Sequence, residues 1–265
     1  MKIRILGSGG FLPTPLPLCD CKLCKEYHGE RIGPSIYIDD LKLLIDTPEG
    51  IYTKVRKEKL IVSHVLYSHW HFDHTSGYRL FEYLNYVLNY KKPTLFLNNI
   101  LYISFEKQVP AINYYENRKF LKITKTENDK IKIKNTTIHF MKMNNDFSVA
   151  YLIKSPGKNI LICMDHCKDL ILTDIKVKID LLIMNLGRIS KKNNSNLQHN
   201  TRESNESDFY KDNLRIIKEI RPTKTVLIHI EPLWNLSPID LKDIEKKYSD
   251  YNISFAFDGM ILNPI

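Results

Sequence analysis

The chain has 265 residues, 43% of them apolar, which is enough to bury a sizeable core in a single α/β unit spanning 1–265. Its apolar runs are short and broken by Lys, Asp or Asn, far below the roughly 20 residues a membrane helix needs. The formal charge of +9, from 39 Lys plus Arg against 30 Asp plus Glu, favours anionic partners, although a Lys-, Asn- and Ile-rich composition produces the same excess without function.

In chain order, Met1-Lys-Ile-Arg-Ile-Leu-Gly7 reads as a strand with no apolar leader, so a cytoplasmic location is expected. The strand ends at Gly7-Ser8-Gly9-Gly10, a turn in which backbone can approach a neighbour or ligand closely. Of the five cysteines, Cys19, Cys21 and Cys24 crowd together like a metal knuckle, whereas Cys163 and Cys167 read as core filler. Ser35 to Ile38 and Leu43 to Asp46 flank Asp39-Asp40 as a hairpin, and Thr47-Pro48-Glu49 reads as a helix start with Thr47 as cap. Ser63 to Tyr67 is a short strand leading into a histidine cluster. Tyr78, Leu80, Phe81, Leu84 and Val87 then recur at helical spacing.

Pro93 to Leu97 is another strand, and Leu121 to Leu161 a series of β segments with a hairpin at Ser155 to Lys158. Leu181 to Met184 follows, then a polar stretch, 188–206, read as a long exposed loop. A helix over Phe209 to Ile220, a strand over Thr225 to Ile228, a helix over Pro238 to Tyr248 and a hairpin around Asp258-Gly259 close the chain. Two runs of strands, each followed by helices, predict a sandwich of sheets covered by helices.

Ser68-His69-Trp70-His71-Phe72-Asp73-His74 carries the chemistry. Three imidazoles and a carboxylate between a strand end and a helix start are borderline ligands that suit zinc, and also manganese or iron. His69 and His71 can face one metal while Asp73 and His74 turn to a second, roughly 3.5–4 Å away, so that the pair clamps a phosphoryl or acyl oxygen. Asp165 and His229 each follow an apolar strand and complete the candidate set.

His69-x-His71-x-Asp73-His74 resembles the signature of the metallo-β-lactamase superfamily. That resemblance implies a four-layer αββα sandwich with a dinuclear site, Asp165 as the bridging carboxylate and His229 as the last histidine ligand. Cys19-x-Cys21-x-x-Cys24 and His199-Asn-Thr201 are similar to the PhnP-like branch, the carbon–phosphorus lyase accessory phosphodiesterases, where a structural zinc sits at the cysteines and the histidine approaches the scissile phosphate. Two departures stand out. Where the superfamily places a further histidine, this chain reads Met143-Asn144-Asn145-Asp146; Asn144 falls nearest and is the expected ligand, with Asp146 as substitute. His139 is read as a strand residue and His166 as pointing away from Asp165. Proline stands at 232 in place of the fourth zinc ligand, leaving His28 and Glu231 as candidates.

The resemblance implies a hydrolase acting on cyclic nucleotides or related phosphodiesters, with two divalent metals (Zn or Mn, with Fe open), Asp73 orienting the attacking water and His199 protonating the leaving alkoxide. A solvated loop residue is the rival reading of His199, and its place just before a helix favours the functional one. Expected partners are a small phosphodiester or nucleotide, RNA in an alternative tRNase Z-like reading, no membrane, and a second copy of the chain as a homodimer. Thioester or lactone hydrolysis stays open, as does a metal-degenerate PqqB-like binding protein without turnover.

Overall fold

The computed structural model describes residues 1–27, 29–87, 89–126, 128–186, 206–234 and 236–263. The first half runs β1 (Ile3–Gly7), α1 (Lys22–Glu26), β2 (Ser35–Ile38), β3 (Leu43–Ile45), α2 (Ile51–Lys57), β4 (His64–Leu66), α3 (Phe72–Thr75), α4 (Leu80–Asn85), β5 (Thr94–Leu97), α5 (Asn99–Gln108) and α6 (Ala111–Asn117). The second half runs β6 (Lys122–Lys125), β7 (Lys130–Ile133), β8 (Thr136–Lys142), β9 (Val149–Ser155), β10 (Lys158–Cys163), β11 (Leu181–Asn185), α7 (Glu206–Ile220), β12 (Lys224–Ile228), α8 (Pro238–Lys247), β13 (Ile253–Phe255) and β14 (Ile261–Leu262).

Among the described residues the strands form two seven-stranded sheets, ordered β14-β1-β2-β3-β4-β5-β6 and β13-β12-β11-β10-β9-β8-β7. Each begins antiparallel, through β1–β3 and β7–β10, and continues parallel, through β3–β6 and β10–β13. Antiparallel neighbours need only tight turns, whereas parallel ones need crossovers, which α2, α3 with α4, and α5 with α6 supply in the first sheet and α7 and α8 in the second. The architecture is α/β, with two mixed sheets flanked by helices, as expected.

Period-two alternation explains why both faces of the second sheet are covered. Tyr151, Ile153, Ile160, Ile162, Ile183, Val226 and Ile228 point into the core shared with the first sheet. Their neighbours Leu152, Leu161, Leu182 and Leu227 pack outward against Ile216 and Ile217 of α7 and Leu241 of α8. Each such fully buried aliphatic side chain contributes about 1.5–3 kcal/mol. Cys163 and Cys167 belong to the outer cluster, and neither is half of a disulfide. The Cys163 thiol, hydrogen-bonded to Cys167 and buried, is pushed well above its ordinary pKa.

Several elements differ from the sequence expectation. Helix α2 starts at Ile51 after a left-handed Gly50, because Thr47 is committed elsewhere: its N–H donates to His74 O (2.7 Å) and its hydroxyl meets Tyr67 Oη (2.7 Å). The helix after His74 is broken by a 3-10 turn, Ser76–Arg79, where Gly77 lies so close to Pro48 that a Cβ would sit 2.2 Å from its carbonyl oxygen. Helices α5 and α6 occupy a stretch where no element is predicted from the sequence. The expected last hairpin is a bridge between sheets: β13 pairs parallel with β12, and β14 pairs antiparallel with β1. No helix of the described residues is long and apolar enough to cross a membrane.

Candidate metal centre

The histidine cluster is assembled where strands end. Tyr67-Ser68-His69 follows β4, Asp165 follows β10 and His229 follows β12, so ligand-type side chains arrive from both sheets. Two hydrogen bonds clamp the sheets there: Val149 N–H donates to Ser68 O (2.9 Å), and Tyr151 Oη donates to the buried carbonyl of Tyr67 (2.6 Å). Short α3 turns immediately after His71 and swings Asp73 and His74 to the far side of the cluster.

Two groups of ligand atoms result, each with members within 4.8 Å of one another: His69, His71, Asp165 and His166; and Asp73, His74 and His229. His69 Nε2 lies 2.9 Å from His71 Nδ1, and Asp73 Oδ2 lies 3.2 Å from His74 Nε2 and 3.4 Å from His229 Nε2. Asp165 Oδ2 faces both groups, 3.4 Å from His166 Nε2 and 3.9 Å from both His69 Nε2 and His229 Nε2. Its other oxygen is occupied, accepting from Asn185 Nδ2 (2.6 Å) and His166 N–H (2.7 Å), so Oδ2 is the one left to reach inward.

A second layer of polar groups fixes which nitrogen each histidine presents. Asp46, fully buried, accepts from Ser68 N–H (2.7 Å), Ser68 Oγ (2.7 Å) and His74 Nδ1 (2.8 Å). Ser68 Oγ, its proton given to Asp46, accepts from His69 Nδ1 at 3.0 Å. Both imidazoles therefore point Nδ1 at these outer partners and turn Nε2 into the site, the arrangement that orients a ligand and raises its basicity. Glu231 Oε1 does the same for His229, 3.4 Å from its Nδ1, while its carboxylate accepts from Phe11 N–H (2.8 Å) and Leu12 N–H (3.4 Å). The glycine turn makes this approach sterically feasible, since a Cβ on Gly10 would lie 1.8 Å from Glu231 Oε1 and 2.7 Å from His229 Nδ1.

Charge follows the same division. Burial first, then the positive potential of neighbouring histidines, holds His69 well below its ordinary pKa, and burial lowers His71. Burial also opposes the charge of His74, yet Asp73 and Asp46 overcome it and push the group up to about 10. His229 is likewise raised against its burial by Asp165 and Asp73. Burial would raise Asp73 and Asp165, but the histidines around them hold both below the usual carboxylate range. Burial pushes Glu231 up to about 7.

These residues fit metal ions. Nε2 of His74, His166 and His229 is buried in each case without a hydrogen-bond partner, a costly condition that ligation relieves. Imidazole with shared carboxylate is a donor set for zinc, manganese or iron. The side chains of His166 and Asp165 keep 24% and 20% of their surface exposed, so the pocket opens to solvent on that side.

No protein-family model matches the sequence, and no curated protein matches it. Solved structures match well. A diphosphatase from the PhnP family superposes with a TM-score of 0.73 at 17% identity, over 98% of this chain and 96% of that one. The metallo-β-lactamase fold protein YhfI from Bacillus subtilis gives 0.69 at 14% identity, over 99% of both chains. The chain has the metallo-β-lactamase fold. Human tRNase Z, short form, shares that fold at a TM-score of 0.61 and 12% identity, over 100% of both chains.

Within this metallo-β-lactamase fold, His69, His71, Asp73, His74, Asp165 and His229 come together in the two groups. Asn144 does not: it is exposed, and its backbone N–H donates to Asp169 O (2.7 Å). The reason is local. Asn145 Oδ1 accepts from Ser148 N–H and Oγ (both 2.9 Å), tightening the loop so that Phe147, not Asn144 or exposed Asp146, faces the site. The Phe147 ring lies 5.0 Å from that of His166 and 5.8 Å from that of His71. His166, expected to point away, joins the first group; its adjacency to Asp165 was the signal. Asp46 gave no local signal, since its partners lie 22 and 28 residues away.

Cys19, Cys21 and Cys24 also converge, with sulfurs within 4.8 Å of one another. Cys21 caps α1, its sulfur accepting from Cys24 N–H (3.4 Å), and Leu16 N–H donates to Cys24 Sγ (3.4 Å). Burial pushes the Cys24 thiol up to about 11; burial would raise Cys21 too, but the hydrogen bonds from Cys24, Cys19 and Leu23 together lower it. Glu231 is not their fourth partner, being engaged with His229 and the glycine turn. His28 and His199 lie outside the described residues, as does the polar stretch up to residue 205.

Proposed function

We propose that the protein is a metal-dependent hydrolase, a phosphodiesterase acting on cyclic nucleotides or related small phosphodiesters. The observation that carries this reading is Asp165 Oδ2, one carboxylate oxygen poised between two groups of histidines. His69, His71 and Asp165 would hold one divalent cation and Asp73, His74, His229 and Asp165 a second, Zn or Mn by donor type. Two such cations supply Lewis acidity to the phosphoryl oxygens and a nucleophile at neutral pH.

The chain's own residues do the rest. Asp46 and Glu231 hold His74 and His229 in register, and Asp73, ionised between those histidines, orients the attacking water. Phe147 walls the pocket beside His71 and His166. The leaving alkoxide takes its proton from His199 in this reading, a role suited to imidazole near neutral pH. The three thiols take a structural zinc. A net charge of +9 suits an anionic substrate, and two ligand groups in place of one favour a working enzyme over a degenerate binding protein.

The deciding experiment is turnover of bis(p-nitrophenyl) phosphate with added Zn or Mn, for wild type, His71→Ala and His199→Ala. Turnover abolished in the first variant and strongly reduced in the second is expected. Folded wild-type protein without turnover under any metal refutes the phosphodiesterase reading. Cleavage of a precursor-tRNA transcript in its place moves the substrate to RNA.

A further inference from the structure

Among the described residues, His166 stands beside the motif, Asp165 and His229 with its Nε2 buried and no role yet assigned. Resting on the metal-centre reading above, we propose that His166 is itself a metal ligand, completing a four-donor site with His69, His71 and Asp165.

Four observations converge on it. First, His166 Nε2 is buried without a hydrogen-bond partner and lies 3.4 Å from Asp165 Oδ2, the oxygen that faces both groups. A stranded imidazole nitrogen is costly unless something binds it. Second, the backbone goes to a rarely used conformation to put it there. His166 has φ 55° and ψ 29°, left-handed for a residue with a side chain. Its N–H donates to Asp165 Oδ1 (2.7 Å) and its carbonyl accepts from Asp169 N–H (2.8 Å), which fold the ring back over the carboxylate it follows.

Third, the ring is wedged. It meets His69 at 5.2 Å and 84°, His71 at 5.6 Å and 63°, and Phe147 at 5.0 Å and 86°, edge contacts that leave little room to rotate away. Fourth, among the described residues no other donor is available on that side: Asn144 and Asp146 are exposed, and Asn145 is spent on Ser148 and Asp169. Without His166 this half of the site has two imidazoles and a carboxylate it must share. With it, the donor count equals that of a closed tetrahedral site, or of a five-coordinate one that still admits water.

The test is a Mn²⁺ titration of metal-stripped protein, with unbound Mn²⁺ counted by its electron paramagnetic resonance signal; Mn²⁺ is chosen because the cysteine thiolates hold it poorly. Wild type is expected to bind two ions. His166→Asn, in which the amide tolerates the left-handed backbone and keeps the fold, should retain one ion at wild-type affinity. The other should weaken by more than the roughly 10–100-fold seen when an outer-shell partner is lost. Asn144→Ala should bind both ions as wild type does. Two ions at wild-type affinity in His166→Asn, or loss of one in Asn144→Ala, overturns the assignment and leaves the dinuclear reading standing. Wild type that binds fewer than two ions removes both.

Discussion

Substituting Asp46 by Asn changes one atom and should disarm two of the proposed metal ligands. Oδ1 of the amide keeps the bond from Ser68 N–H (2.7 Å), but the NH2 now stands where Oδ2 accepted from Ser68 Oγ (2.7 Å) and His74 Nδ1 (2.8 Å). The amide cannot flip, because its NH2 would then meet the Ser68 N–H. His74 must accept at Nδ1 and carry its proton on Nε2, the atom that faces Asp73. Ser68 Oγ, now receiving a proton from the amide, donates to His69 Nδ1 (3.0 Å) and inverts that ring too.

A lost charge-assisted bond costs about 1.5–3 kcal/mol. At roughly 2–4 °C per kcal/mol for a chain near this length, metal-free Asp46→Asn should melt about 3–12 °C below wild type. Metal affinity should fall by at least the ~10–100-fold typical of an outer-shell partner, which is about 1.4–2.7 kcal/mol. Thermal unfolding by circular dichroism and the Mn²⁺ titration read the two quantities separately. A folded Asp46→Asn that holds both ions at wild-type affinity would refute the argument that Asp46 sets the tautomers.

The metal-free protein should be most stable near the ordinary histidine pKa of 6.5. His74, raised to about 10, and His229, also raised, stabilise fully below 6.5 and lose that contribution as pH climbs through their folded values. His69 and His71, lowered, stabilise above 6.5 and lose it as pH falls. Melting temperature against pH, in chelator, should therefore be a peak, and a monotonic curve contradicts the assignment. Gly10→Ala, placing a Cβ 1.8 Å from Glu231 Oε1, should cost about 1–3 kcal/mol and weaken metal binding through His229; unchanged melting and binding would show that the turn yields. Cys21→Ser should lower the zinc content of purified protein by one ion while Cys163→Ala leaves it alone, as elemental analysis will report.

What the sequence made legible was whatever is encoded locally. Three histidines and an aspartate in six positions announce themselves, and Asp165 and His229 stand at the ends of apolar strands. The sandwich follows from strand runs followed by helices. The unread parts depend on distant partners or on backbone choice. Asp46 looks like the end of a strand until Ser68 and His74 fold against it. Glu231 looks like a spare ligand for the cysteines until Gly10 is seen pressed upon it. Nothing local reports that His166 adopts a left-handed conformation, or that Asn145 pulls Phe147 inward in place of Asn144. The closing strands misled because a hairpin and a bridge between sheets carry the same turn signal at Asp258-Gly259.

That bridge has a consequence for the order of assembly. Ile3 pairs with Leu262, and Asp258 accepts from Ser8 N–H (2.8 Å) and Ile32 N–H (3.1 Å) and binds Lys54 Nζ (2.9 Å). Contacts this distant in sequence form slowly, and on a ribosome they wait for the last residues to emerge. In the proposed reading, the three cysteines between Cys19 and Cys24 would meet their ion while the chain is still growing. The proposed dinuclear pocket would wait until His229 and Glu231 have arrived and the glycine turn has closed on them, so the two kinds of site would draw on the cell's metal supply at different moments in the life of the molecule.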